Sequence, residues 1–190
     1  MIDGANDEPG GWPRHGERII VGGPEVWLSE VDVGLPTRER VWLPVVRLFR
    51  SAAVALVDDM DRVLLVRRYR FAPDRWGWEL PGGQVEEDED PAEAAARELE
   101  DLTGFRAGRL DRLAAVQPAP EIVDSERFVF LGRDPVAVGE PVALDDGERA
   151  DWKPLGAVPG LMAAGEVWNS LSVVGLLGVL LRQRGLGWKF

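Results

Sequence analysis

Cysteine is absent from the 190 residues, and histidine occurs once, at His15. The first absence excludes disulfide scaffolds, thiolate nucleophiles, iron–sulfur clusters and cysteine zinc sites. The second all but excludes His-pair metal sites and a serine–histidine–acid triad. Catalysis, if there is any, falls to carboxylates, arginines and a bound hard metal. An excess of basic charge is missing too: 33 acidic residues against 22 basic give a net charge of −11. A protein that grips a nucleic-acid backbone needs a basic face, so no nucleic-acid partner is expected. Long apolar runs are also lacking. The longest, Leu171–Leu181, covers eleven residues, well short of the ~20 that span a bilayer, so no membrane partner is expected. The N-terminal stretch has no apolar segment of the kind that marks a signal peptide, and a cytoplasmic protein is the expectation. What remains is an ordinary globular composition, 45% apolar and 29% charged, with length for one compact domain and appended arms.

Residues 1–17 mix Gly, Pro and acidic residues and read as a mobile arm. Residues 18–50 hold two Val/Ile/Trp-rich strands, Glu25–Val33 and Glu39–Phe49, broken by Gly22–Gly23–Pro24 and Gly34–Leu35–Pro36. The main domain, 51–190, opens with apolar runs at Ser51–Val57 and Arg62–Tyr69, joined by the charged turn Asp58–Asp61. A short aromatic strand, Trp76–Leu80, precedes Pro81–Gly82–Gly83. The best-marked helix follows. Asp90 is its N-cap, Pro91 its first residue, Glu93 completes a capping box, and Gly104 stands past its end. Further strands are expected at Leu110–Val116, Glu126–Leu131 and Ala150–Pro154, and helices at Pro159–Ala164 and Ser170–Arg184.

Acidic residues crowd the stretch from Glu86 to Asp101, and Arg62, Arg67, Arg68, Arg70 and Arg75 crowd the segment before it. A bare charge run of this kind is ordinarily a solvated face. Two details point further. The glycine pair lets backbone approach a ligand, and Glu98 and Asp101, three residues apart, share a helix face. Paired carboxylates without histidine or cysteine suit Mg²⁺ or Mn²⁺, and nearby arginines suit bidentate contacts to phosphate. A phosphorylated substrate is the reading of the residues themselves.

The run from Gly83 through Glu89, Arg97–Glu98–Leu99 and Gly104–Phe105 resembles the Nudix box, G-x5-E-x7-R-E-U-x-E-E-x-G-U, and matches seven of its nine specified positions. Asp101 and Leu102 stand where the family has its Glu pair. Asp101 keeps a carboxylate; Leu102 cannot bind a metal. Beyond the box, Leu65–Arg70 with Trp78–Gly83, then Pro118–Pro120, Asp124–Glu126 and Gly165–Ser170, are similar to the ADP-ribose pyrophosphatase branch.

The resemblance implies an α/β/α sandwich with a mixed sheet, plus N-terminal strands that build a homodimer and contribute to a base site. It implies Mg²⁺ or Mn²⁺ held by the Gly82 carbonyl, Glu98 and Asp101. Glu98 and Glu126 become the candidates for activating water, Arg70 and Gly83 those for binding substrate, and Glu89 and Arg97 a brace between loop and helix. Glu148 is a weaker acidic candidate. The implied activity is hydrolysis of a nucleoside diphosphate sugar such as ADP-ribose, giving AMP and a sugar phosphate. The alternative is a weakened or inactive Nudix module that binds a nucleotide sugar or a protein partner, motivated by Leu102.

Overall fold

The computed structural model describes residues 11–23 and 26–186. In chain order, β1 (Arg14–Gly22), β2 (Val26–Gly34) and β3 (Arg40–Leu48) are followed by β4 (Ser51–Leu56), β5 (Arg62–Arg70), β6 (Arg75–Glu79) and β7 (Gly82–Gln84). Helix α1 (Pro91–Thr103) leads to β8 (Phe105–Val116), β9 (Val123–Asp124), β10 (Arg127–Ala137) and β11 (Arg149–Pro154). A 3₁₀ turn at Leu155–Ala157, α2 (Val158–Ala163) and α3 (Ser170–Gln183) complete the described chain. None of its helices is long and apolar enough to cross a membrane.

The chain forms two compact units. The first runs up to Leu48 and takes in Ala119–Asp124. Its sheet has the order β1-β2-β3-β9, with β1, β2 and β3 antiparallel and β9 parallel to β3. Residues 14–17, expected in the arm, instead begin β1, where Gly16 pairs with Asp32 and Glu17 with Val31. β1 is exposed along its whole length, so no buried alternation marks it in the sequence. Residues 1–10 of the expected arm, Pro24 of the first turn and Glu25 of the first expected strand lie outside the described residues.

The second unit takes in Phe49–Pro118 and the chain from Ser125 onward. Its central sheet has the order β7-β4-β10-β8 and is mixed: β10 runs parallel to β4 and antiparallel to β8. Period-two alternation along β4 divides the core. Ala52, Val54 and Leu56 pack with Ala94, Ala95 and Leu99 of α1. Ala53 and Ala55 pack with Leu171, Leu176 and Val179 of α3 on the opposite face. This is the expected α/β/α sandwich. A three-stranded antiparallel sheet, β11-β5-β6, adjoins it through the Val57–Val63 bridge.

The local signals act as their chemistry dictates. Asp90 caps α1 by accepting from the Ala92 N–H at 2.7 Å. Among the described residues no bond from Glu93 completes a capping box, so a single cap suffices. Gly104 ends the helix at φ 69° and donates to the Glu100 carbonyl at 2.8 Å, a conformation that favours glycine. In the β4–β5 turn, Asp58 accepts from the N–H groups of Met60 and Arg62 at 3.0 and 2.8 Å.

Candidate active site

An open cavity of about 700 Å³ lies in the second unit, walled by β4, β5, β6, the Gly82–Gly83 strand, the start of β10, the 145–148 turn and the N-terminus of α3. Its position follows from local structure. Asn169 caps α3 by accepting from the N–H groups of Leu171 and Ser172 at 3.0 and 3.2 Å. That cap sets the buried Ser172 hydroxyl to accept from the Leu80 N–H at 2.9 Å. The Pro81 carbonyl accepts from Val54 N–H at 2.9 Å. The loop entering α1 is thus pinned from both sides.

Close backbone approach explains the glycine pair. A Cβ on Gly82 would stand 2.4 Å from the Ala52 carbonyl oxygen, and one on Gly83 would stand 2.3 Å from the Glu98 carboxylate. Glu98 therefore rests on the Gly83 backbone. Its side chain is 19% exposed and accepts from Arg97 Nη1 at 2.7 Å. Arg97 also grips Glu89 through Nε and Nη2, both at 3.0 Å, and the Gln84 carbonyl at 3.1 Å. The brace between loop and helix is present. Its guanidinium, then the Glu86 N–H, hold the Glu89 carboxyl below the usual range, and Glu89 in turn raises Arg97 above the arginine range.

On the cavity wall, Arg70 meets Glu79 through Nη2 at 2.6 Å and Nε at 3.1 Å, and Arg68 Nε lies 3.1 Å from both oxygens of Glu148. The two carboxylates are 3% and 4% exposed, so each guanidinium is oriented by a buried acid. Glu79 raises Arg70 above the arginine range, against burial. Arg127 stands on the same wall and makes no ion pair with a carboxylate among the described residues. Burial, then the nearby charge of Arg70, lower it below the ordinary value.

The structure brings Arg70, Gly82, Gly83 and Glu148 to one cavity; Glu98 lies against Gly83 but, like Asp101, is not among the residues that line it. Asp101 is half-buried on α1, where its carbonyl accepts from Val142 and Ala143, and Leu102 is 2% exposed in the core. Glu126 is exposed and is not among the cavity's lining residues; its carbonyl accepts from the Ser51 N–H at 3.2 Å. Among the described residues no group of three or more His, Asp or Glu could hold a metal ion. Sequence reasoning missed Ser51, Glu79 and Arg127. Their signal is slight: a charged or polar residue at a core-facing position of an apolar strand, as when Arg127 precedes the buried Val129 and Leu131.

A family model described as NUDIX domain matches residues 47–170. The CMP-5'-(N-acetyl-N-hydroxy-3-aminopropyl)phosphonate hydrolase of Streptomyces rubellomurinus is 38% identical over 93% of this chain and 84% of its own. The ADP-ribose pyrophosphatase of Mycobacterium tuberculosis is 33% identical over 77% of this chain and 70% of its own. A crystal structure of an ADP compounds hydrolase superposes with a TM-score of 0.77 at 20% identity, covering 93% of this chain and 97% of that one; at that identity the likeness is one of fold.

Proposed function

Because this chain belongs to the Nudix family and resembles its ADP-ribose pyrophosphatases, we propose that it hydrolyses the anhydride of a nucleoside diphosphate derivative such as ADP-ribose. It is a Nudix pyrophosphohydrolase. The observation that carries it is the cavity itself, where Arg68, Arg70 and Arg127 converge beside the Gly82–Gly83 backbone against which Glu98 lies.

Arg70 and Arg68, pre-oriented by Glu79 and Glu148, hold the non-bridging oxygens of the diphosphate and stabilise the charge that grows there. The Gly82–Gly83 backbone gives the substrate close passage. Glu98, with its carboxylate fixed by Arg97, orients or deprotonates the attacking water. Glu126 is the alternative base, reachable only from its exposed position. Water adds at phosphorus, the bridging P–O bond breaks, and the departing oxygen leaves with the second phosphorylated fragment.

Family members generally use a divalent cation. Gly82, Glu98 and Asp101 supply one carbonyl and two carboxylates, while Leu102 supplies a buried hydrocarbon where the family has a further ligand. With no group of three acidic or histidine side chains among the described residues, the donor set falls short of a protein-built cation cage.

The test is a substrate panel: ADP-ribose and a CMP-alkylphosphonate, each with Mg²⁺ and with Mn²⁺, with products identified by mass. Release of a nucleoside monophosphate from either supports the proposal. Tight binding of intact substrate without products in either metal contradicts it and favours a binding module.

A further inference from the structure

Arg127 and Ser51 are cross-strand partners in the parallel β10–β4 pair, so their side chains rise from the same face of the sheet. Both line the cavity. Arg127 Nε and Ser51 Oγ are the buried side-chain polar atoms that find no hydrogen-bond partner among the described residues. Two orphaned donors side by side are unusual, because buried polar groups are nearly always satisfied. Charge sharpens the contrast. Arg68 and Arg70 each have a buried glutamate, whereas Arg127 makes no ion pair among the described residues and its charged neighbour is another arginine. A half-buried, uncompensated guanidinium beside a second cation costs the fold free energy unless an anion meets it.

Resting on the diphosphate-hydrolase reading above, we propose that Arg127 and Ser51 form an oxyanion subsite that takes one of the substrate's two phosphorus groups, phosphate or phosphonate. The guanidinium and the hydroxyl both donate, so one tetrahedral oxyanion accepts from both, and its charge offsets the repulsion between Arg127 and Arg70. Arg68 and Arg70, already neutralised, contribute orientation; Arg127 contributes net charge. The subsite lies on β4 and β10, outside the acidic helix and its glycine loop.

The experiment measures binding of methylenediphosphonate by calorimetry in EDTA, with melting temperatures, for the full chain and its Arg127→Gln, Arg127→Lys and Ser51→Ala variants. KM for ADP-ribose and for a CMP-alkylphosphonate is measured alongside. Arg127→Gln is expected to weaken the diphosphonate and raise KM at least tenfold while the melting temperature holds or rises. Arg127→Lys restores part of the affinity, and Ser51→Ala costs about threefold. A KM effect confined to one substrate identifies which phosphorus group occupies the subsite. The inference is overturned if wild type does not bind the diphosphonate, or if Arg127→Gln matches wild-type affinity. It is equally overturned if Arg127→Gln and Arg127→Lys both melt several degrees lower, which marks a structural arginine. Wild type that binds the diphosphonate but hydrolyses neither substrate contradicts the proposed activity and leaves the subsite standing.

Discussion

At the scale of single residues, the two glycines of the loop separate stability from chemistry. The neighbours of a Cβ on Gly82 are the Ala52 carbonyl oxygen and the Cα and Cβ of Ala53, which cannot give way, whereas the neighbour on Gly83 is the end of the Glu98 side chain. Gly82→Ala is expected to destabilise by about 2–3 kcal/mol, read from the urea midpoint. Gly83→Ala costs under about 1 kcal/mol but lowers kcat/KM at least tenfold, because it displaces the Glu98 carboxylate. The Glu89–Arg97 brace gives a pH signature. Its folded carboxyl titrates below its unfolded value, so its contribution is complete at neutral pH and disappears as pH falls through the folded value. Wild type should lose more thermal stability between pH 6 and pH 3 than Glu89→Gln; equal losses would show that the brace contributes nothing.

Among the elements, α1 carries both the core and the box. Its apolar side packs Ala94, Ala95 and Leu99 against β4 and β10, and Leu102 is buried as well. Leu102→Glu, which restores the family's residue type, is therefore expected to destabilise by about 3 kcal/mol through lost apolar burial and a buried carboxyl. Leu102→Met should stay within about 1.5 kcal/mol. A Leu102→Glu variant as stable as wild type would show that the position is open to solvent. Elements with strong punctuation were legible in the sequence: Asp90, Pro91 and Gly104 bound α1 to the residue, and the Asp58–Asp61 turn sits where its charge places it. β1 was not legible, because an exposed strand has no apolar parity. The β10 strand extends to Ala137, past Asp134–Pro135: Asp134 takes φ 55° and has no register partner, but the flanking pairs Arg133–Arg109 and Pro135–Ala107 carry the ladder across it. In the candidate site, the closeness of the box glycines to Glu98 was legible from spacing. Arg127, Ser51 and Glu79 were not, because strands that meet only on folding bring them to one cavity wall.

For the whole molecule the net charge is −11, and the cavity wall sets three arginines against Glu79, Asp145 and Glu148, so the local attraction for an anionic ligand rests on Arg127, which makes no ion pair among the described residues. Ile19, Val21, Trp42 and Leu43 are exposed on the strands of the N-terminal unit, the strands that the family resemblance implies build a homodimer. We expect a homodimer formed there; sedimentation equilibrium should give twice 20.9 kDa, and a monomer at micromolar concentration would contradict it. The central claim is hydrolysis of a nucleoside diphosphate derivative at the cavity that Gly83 lines, with Glu98, which lies against Gly83, as the carboxylate that acts on water. It is tested most directly by following AMP release from ADP-ribose for wild type and Glu98→Gln with Mg²⁺ or Mn²⁺ supplied. The account predicts turnover by wild type and a loss of at least a hundredfold in kcat for a variant with an unchanged melting curve. Wild-type turnover that survives Glu98→Gln undiminished would contradict the placement of the chemistry at that carboxylate.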